Sequence, residues 1–147
     1  MTSYHPYLNF DGNAEEAFDF YKSVFGGEFS AVMRFTDMAG CSEMPLSEAD
    51  KTKIAHISLP LDNGTMLMAS DTLESLGQKL NVGNNTYTCI VPDSREDADR
   101  LFNGLSPGGK VEMPMSDMPW GAYWGCFSDK LGVQWMISHD NPKEEAK

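Results

Sequence analysis

Three imidazoles and three thiols are the side chains in this 147-residue sequence best suited to metal or nucleophilic chemistry: His5, His56 and His139, and Cys41, Cys89 and Cys126. Their spacing rules out a local site. No two histidines share an H-x-x-x-H motif and no two cysteines share a C-x-x-C, the spacings by which one helix face or one turn presents two ligands together. Any metal centre must therefore be assembled by the fold. An odd number of distant cysteines fits reduced thiols in the cytoplasm rather than a disulfide framework. Cys89 and Cys126 each interrupt an apolar, strand-like run and read as small buried hydrophobes. The remaining soft atoms are ten methionines, roughly three times the ordinary share.

The elements that must position these groups come from one domain-sized chain. Its 41% apolar content, with 8 Phe, 5 Tyr and 3 Trp, is enough to build a core. Against 22 Asp and Glu stand 11 Lys and Arg, for a net charge of −11. That field repels phosphate backbones and anionic lipid, which argues against nucleic-acid and membrane partners. No apolar run approaches the ~20 residues of a membrane helix, and MTSYHPYLNF lacks the layout of a secretory signal. A cytoplasmic protein is expected.

An internal repeat organises the chain. Residues 7–24 and 88–105 align without a gap. YLNFDGNAEEAFDFYKSV reads as a strand from Tyr7 to Phe10, an Asn13 cap and a helix with a stripe at Ala14, Ala17, Phe18, Tyr21, Val24 and Phe25. TCIVPDSREDADRLFNGL repeats the plan, with Ser94 as cap and Ala98, Leu101, Phe102 and Leu105 as the stripe. Each cap has an acid three residues on, Glu16 and Asp97, and each helix stops near a glycine pair, Gly26-Gly27 and Gly108-Gly109. Further strand-like runs follow at Glu28 to Thr36, Ile54 to Leu61 and Thr65 to Ser70, and again at Lys110 to Met115, Ala122 to Ser128 and Val133 to Ser138. Setting Gly64 on Gly132 in the last turns places Met68 on Met136. Each half is thus βαβββ. The expected layout is one α+β domain over 1–147, with a first module at 4–80, a second at 86–140 and a charged tail at 141–147. The 38–53 segment inserted in the first module is a lid loop with a short helix from Ser47.

This tandem pattern, with YLNFDGNAEEAFDFYKSVFGGEF at the front and WGCFSDKLGVQWMI at the back, resembles the vicinal oxygen chelate superfamily of glyoxalase I, bleomycin-resistance proteins and extradiol dioxygenases. The front motif, AHISL, LMASD and MPWGAYWG are similar to its PhnB-like branch, often labelled 3-demethylubiquinone-9 3-methyltransferase-like. The resemblance implies curved mixed sheets around a cleft, with the helices on their outer faces. The methyltransferase label finds no support in the sequence. An S-adenosylmethionine site needs a glycine-rich turn between a parallel strand and a helix, and both glycine pairs here follow helices.

Metal-dependent members of the superfamily offer a His or Gln on the first strand of each half and a Glu on the last. Here the last-strand positions are Met68 and Met136, and a thioether is too soft and weak to hold a hard divalent ion. First-strand positions fall near His5 or Pro6 in one half and near Thr86 or Tyr87 in the other. The usual metal site is therefore expected to be absent, and no cofactor is called for. If Met68 and Met136 face the cleft, strand alternation adds Met66 and Ser70, and Gln134 and Ser138. Ile57, Leu59 and Leu61 then form a helix-side row, which turns Ile54, His56 and Ser58 to the cleft.

His56 is the candidate catalytic group, as hydrogen-bond donor or general base; it can equally be satisfied by a carbonyl or by Asp71. Asp71 is expected to cap a short helix after Thr72 rather than catalyse. Trp120, Tyr123 and Trp124 offer stacking surface, or serve as core or dimer contact. These residues predict a metal-free protein binding a small apolar or aromatic molecule, as a homodimer like the superfamily's resistance proteins. The alternative is a metal-dependent lyase, isomerase or dioxygenase with a site relocated to His5, His56 and Asp71 or Glu112. A third reading makes the cleft vestigial and the chain an interaction dimer.

Overall fold

The computed structural model describes residues 2–38 and 40–141; most of the charged tail expected at 141–147 lies outside them. The chain forms two compact units, Met1–Asn81 and Val82–Lys147, each with one four-stranded mixed sheet.

In the first unit the strands are β1 (Tyr7–Phe10), β2 (Ala31–Arg34), β3 (Ile54–Pro60) and β4 (Met66–Asp71), ordered β1-β4-β3-β2. β1 runs parallel to β4, the pairing that a helical crossover permits, and the other pairs are antiparallel. The crossover helix is α1 (Ala14–Phe25). Its apolar residues recur at helical spacing, so Ala14, Ala17, Phe18 and Tyr21 fall on one face and are fully buried. They pack on Phe10, Ile57, Leu59, Leu67 and Ala69 of the sheet, and each large side chain so buried contributes about 1.5–3 kcal/mol. The helix ends at Gly26, which takes φ 79° while its N–H donates to Lys22 O at 2.8 Å.

The helix starts differently from the sequence expectation. Asn13 makes no side-chain cap bond. Asp71, 57 residues away, accepts from the Ala14 N–H through Oδ1 and from the Ile54 N–H through Oδ2, both at 2.9 Å. Its carboxylate thus caps α1, not the turn after Thr72, and pins β3 and β4 to it. β2 is also shorter than Glu28 to Thr36, because Asp37 turns back to accept the Arg34 N–H at 3.0 Å and starts a 3-10 turn at Phe35. The short helix expected from Ser47 is present as α2 (Glu48–Lys51), with Ser47 Oγ accepting from the Asp50 N–H.

The second unit repeats the plan with β5 (Thr88–Ile90), α3 (Arg95–Leu105), β6 (Lys110–Asp117), β7 (Ala122–Ser128) and β8 (Gln134–Asp140), ordered β5-β8-β7-β6. Ser94 caps α3 by accepting from the Asp97 N–H at 3.0 Å. Ala98, Leu101, Phe102 and Leu105 bury against Phe127, Trp135 and Ile137, with the Phe102 and Phe127 rings edge to face at 5.0 Å. Pro114 is tolerated within β6 because that strand is an edge. Gly109 marks a close approach, since a Cβ there would sit 2.1 Å from Ser128 O. Among the described residues no helix is long and apolar enough to cross a membrane.

Candidate functional site

With one face of each sheet covered by its helix, chemistry is left to the other face. On β4 the alternation is clean: Leu67, Ala69 and Asp71 are buried, and Met66, Met68 and Ser70 are half-buried. Tyr7 lies opposite Met68, Met68 opposite Ser58, Ser58 opposite Ala31, and Met33 opposite His56. Met66, Met68, His56 and Ser58 therefore share one face, but Ser58, expected to line the cleft, is only 2% exposed and its hydroxyl pairs with Ser30 Oγ at 2.5 Å. Ile54 does not join them. Ala55 is an extra residue between the Met33–His56 and Arg34–Ile54 pairs, a bulge that resets the alternation, so Ile54 is buried in phase with Ile57. His56 itself is engaged by an aromatic neighbour. The Tyr7 ring reaches across β4 to stack on the imidazole at 5.9 Å and 29°, with its hydroxyl 3.4 Å from Nδ1.

His5 and Asp71 are not free to join His56 around an ion. His5 Nδ1 accepts the Met66 N–H at 2.9 Å, so the ring proton sits on Nε2, 3.1 Å from Ser3 Oγ. Asp71 is on the helix face, 3% exposed, with both oxygens accepting backbone N–H groups. The strand register also settles the first-strand correspondence. Met68 faces Tyr7 and Met136 faces Cys89, so the repeat sets Tyr7 on Cys89, one residue beyond the sequence alignment, and His5 on Tyr87. The Tyr87 hydroxyl donates to the Glu112 carboxylate at 2.8–2.9 Å, which also raises its own pKa. A tethered imidazole, a phenol and two thioethers do not fit the hard divalent ion of the superfamily. Among the described residues no three His, Cys, Asp or Glu side chains cluster to hold a metal.

In the second unit Trp135 and Ile137 are buried under α3, leaving Gln134, Met136 and Ser138 on the open face. Cys126 stands opposite Met136 and Trp124 opposite Ser138. Gln134 Nε2 donates to Thr86 O at 2.7 Å, and Trp120, 66% exposed, meets the Trp124 ring edge-on at 5.9 Å. Desolvation raises the pKa of both the Cys89 and Cys126 thiols, but only Cys126 is buried; Cys89, expected from the sequence to be buried, is exposed at the edge strand. Tyr123 lies on the other face. Its hydroxyl donates to Asp99 of α3 at 2.6 Å and the Arg95 guanidinium lies 3.8 Å over its ring. His139 is also tied back, its Nδ1–H donating to Pro92 O at 2.9 Å, at the position that Asp71 holds in the first unit.

Two charged networks were not foreseen. Arg95 bonds Asp117 and Asn141, locking the start of α3 to the ends of β6 and β8; the guanidinium and the Asn141 bond hold the Asp117 carboxyl below its ordinary pKa. In the first unit Asp50 accepts from Lys53 Nζ at 2.8 Å and from the Ser75 N–H at 3.1 Å as well as its hydroxyl. These bonds lower its pKa from 3.8 to about 2. A hollow of about 320 Å³ beside them is lined by Glu15, Arg34, Lys53 and Asp71. Its charges are already paired with one another or with backbone, so it offers no unsatisfied group to a ligand.

A family model described as Glyoxalase/Bleomycin resistance protein/Dioxygenase superfamily matches residues 4–137. The chain is 32% identical to protein YjdN of Escherichia coli K12, over 90% of its own length and 92% of that protein's. Among solved structures it is similar to protein PA1353 from Pseudomonas aeruginosa, at 34% identity and TM-score 0.82, covering 97% of this chain and 100% of that one. It shares its fold with the PhnB protein from Bacillus cereus, which carries the 3-demethylubiquinone-9 3-methyltransferase label, at 24% identity and TM-score 0.73, over 94% and 99% of the two chains.

Proposed function

Because the chain belongs to the Glyoxalase/Bleomycin resistance protein/Dioxygenase superfamily, we propose that it uses that fold to bind a small apolar or aromatic molecule without a hard divalent metal. The observation that carries this reading is the placement of Met68 and Met136. Met68 stands in the first residue pair of its parallel ladder and Met136 in the second, each on an inner strand and on the face of its sheet away from the helix. Carboxylates there would suit Mg, Mn or Fe; thioethers supply polarizable, adaptable apolar surface instead. Around Met68 stand Met66, Ser58 and the Tyr7–His56 stack, and around Met136 stand Gln134 and the Trp120–Trp124 pair. On each sheet flat rings and flexible thioethers favour an aromatic guest, with His56 supplying a directional polar contact in the first unit and Gln134 in the second. A cytoplasmic homodimer goes with this reading, on the resemblance to resistance proteins, and sedimentation equilibrium tests it.

The direct experiment is thermal denaturation against a panel of neutral aromatic compounds, in EDTA and with added Mg²⁺, Mn²⁺ or Zn²⁺. A guest at a hundredfold excess over its Kd adds ~2.7 kcal/mol, a shift of several degrees. The proposal requires such a shift in EDTA, lost in Met68→Glu or Met136→Glu. Stabilisation by a divalent cation alone, with none by any compound in EDTA, sinks it.

A further inference from the structure

The register of the second sheet lines up four sulfur side chains. Cys89 of β5 lies opposite Met136 of β8, Met136 opposite Cys126 of β7, and Cys126 opposite Met113 of β6. One residue from every strand thus stands in a single transverse row; Cys89, Met136 and Cys126 point to the same face as directly opposed residues, and Met113 sits between two irregularities of β6 at the outer end of the row. That face is the open one, because the neighbours of Met136 on β8, Trp135 and Ile137, are buried. The equivalent row in the first sheet is Tyr7, Met68, Ser58 and Ala31, with one sulfur. We propose that the row Cys89, Met136, Cys126 and Met113 is a binding site for a soft monovalent cation, Cu(I) or Ag(I).

Spacing and donor chemistry both support this. Opposed residues on neighbouring strands have Cβ atoms about 4.5–5.5 Å apart. A metal–sulfur bond of roughly 2.3 Å lets one ion span about twice that between two sulfurs, so adjacent members of the row can share an ion without moving the backbone. The cysteines cannot satisfy each other instead. Both oppose Met136, which puts a strand between them and their Cα atoms roughly 9.6 Å apart, beyond the ~7 Å a disulfide allows; both are free thiols. A thiol and a thioether on neighbouring strands form a pair that selects Cu(I) over Mg²⁺, Ca²⁺ or Mn²⁺. Zn²⁺ prefers four thiolate or imidazole ligands, and no histidine stands in this row. The nearby carboxylate, Glu112, already accepts the Tyr87 hydroxyl. Cys89 and Met113 are exposed while Cys126 is 5% exposed, so an ion can enter at either end and reach the inner sulfurs. Binding is ligand exchange without a redox step: M⁺ forms bonds to sulfur, and each thiol that ligates releases its proton to solvent.

The test titrates Cu(I) anaerobically into the full-length chain, reduced and carrying Cys41→Ser, in competition with a chromophoric Cu(I) chelator. One equivalent of Cu(I) is retained. One ion joins Met136 to one flanking thiol at a time, so Cys89→Ser and Cys126→Ser each weaken binding about twofold, the double variant by at least about tenfold, and Met136→Leu, which keeps both thiols, by several-fold. Met68→Leu, in the sulfur-poor row, leaves the Cu(I) affinity unchanged. Met136→Leu and Met68→Leu keep both thiols, so their comparison remains informative if Cys126→Ser misfolds. Failure to compete for any Cu(I), unaltered affinity in the double cysteine variant, or equal losses in Met68→Leu and Met136→Leu would each overturn the site. None of these outcomes depends on whether an aromatic guest binds.

Discussion

The Tyr7 ring lies across an intervening strand from His56, stacked at 5.9 Å with its hydroxyl 3.4 Å from the imidazole Nδ1. The pair covers the open face next to Met68, which pairs directly with Tyr7. An aromatic guest on this face meets the two rings as one surface, so their contributions are coupled. His56→Ala and Tyr7→Ala should each weaken binding of an aromatic fluorescent probe by several-fold, about 0.5–1.5 kcal/mol. The double variant should lose clearly less than the sum of the two. Strict additivity in a probe titration would mean that the rings act separately.

Asp71 is predicted to be the main polar anchor of the first unit. Its buried carboxylate accepts two backbone N–H groups, from α1 and from β3, and hydrogen bonds to a charged group contribute about 1.5–3 kcal/mol each. Asp71→Ala should cost roughly 3 kcal/mol or more in urea unfolding, with Asp71→Asn intermediate. Asn13→Ala should cost only a few tenths, because its side chain makes no cap bond. A larger loss at Asn13 than at Asp71 would contradict capping of α1 by Asp71.

That contrast shows what the sequence made legible. The α1 stripe and the alternation along β4 are local signals, written at helical and strand spacing, and the buried sets Ala14, Ala17, Phe18, Tyr21 and Leu67, Ala69 follow from them. A capping box is local too, so Asn13 with Glu16 looked sufficient; the true cap comes from 57 residues away and leaves no local trace. The bulge at Ala55 is equally silent, since its cause lies in the pairing with β2, and it moved Ile54 from the expected face. The first-strand correspondence slipped by one because β5 is only three residues long, too short for its own alternation to fix register. Tyr123 was readable: it is two and four residues from Gly125 and buried Phe127, whose face it shares. Faces were thus written in the chain where alternation runs unbroken, and were lost where pairing between distant strands inserts a bulge.

The network around Asp50 predicts acid lability in the first unit. The fold lowers this carboxyl from 3.8 to about 2, chiefly through Lys53 and Ser75. A group with a depressed folded pKa stabilises the fold above its unfolded value, and that contribution disappears as pH falls toward the folded one. Asp50→Asn should therefore melt below the parent by a constant amount above pH 5, with the gap closing between pH 4 and 2. Lys53→Met should show the same closing gap, since it removes the ammonium whose hydrogen bond does most to hold the carboxyl down. A difference in melting temperature that persists undiminished at pH 2 would assign the loss to packing instead.

Two glycines in the second unit should differ sharply in their tolerance of a methyl group. At Gly109 an added Cβ would lie 2.1 Å from Ser128 O and 2.7–2.8 Å from the Asp129 backbone. Every obstacle there is main chain, at the hydrogen-bonded start of the β6–β7 ladder where Lys110 pairs with Ser128. Relief requires the strands to part, next to a turn whose Asp129 holds the Leu131 and Val133 N–H groups and the Trp135 indole. At Gly125 the closest obstacle is the flexible end of Met115, Sδ at 2.8 Å, with backbone atoms at 3.0 Å. The thioether can rotate away and the backbone can yield by tenths of an ångström. Gly109→Ala should thus cost ~3 kcal/mol or more, and Gly125→Ala about 1–2. Trp135, buried beside the turn, makes intrinsic fluorescence in urea titrations the natural readout. Equal losses at the two positions would show that the Ser128–Asp129 backbone moves as readily as the Met115 side chain.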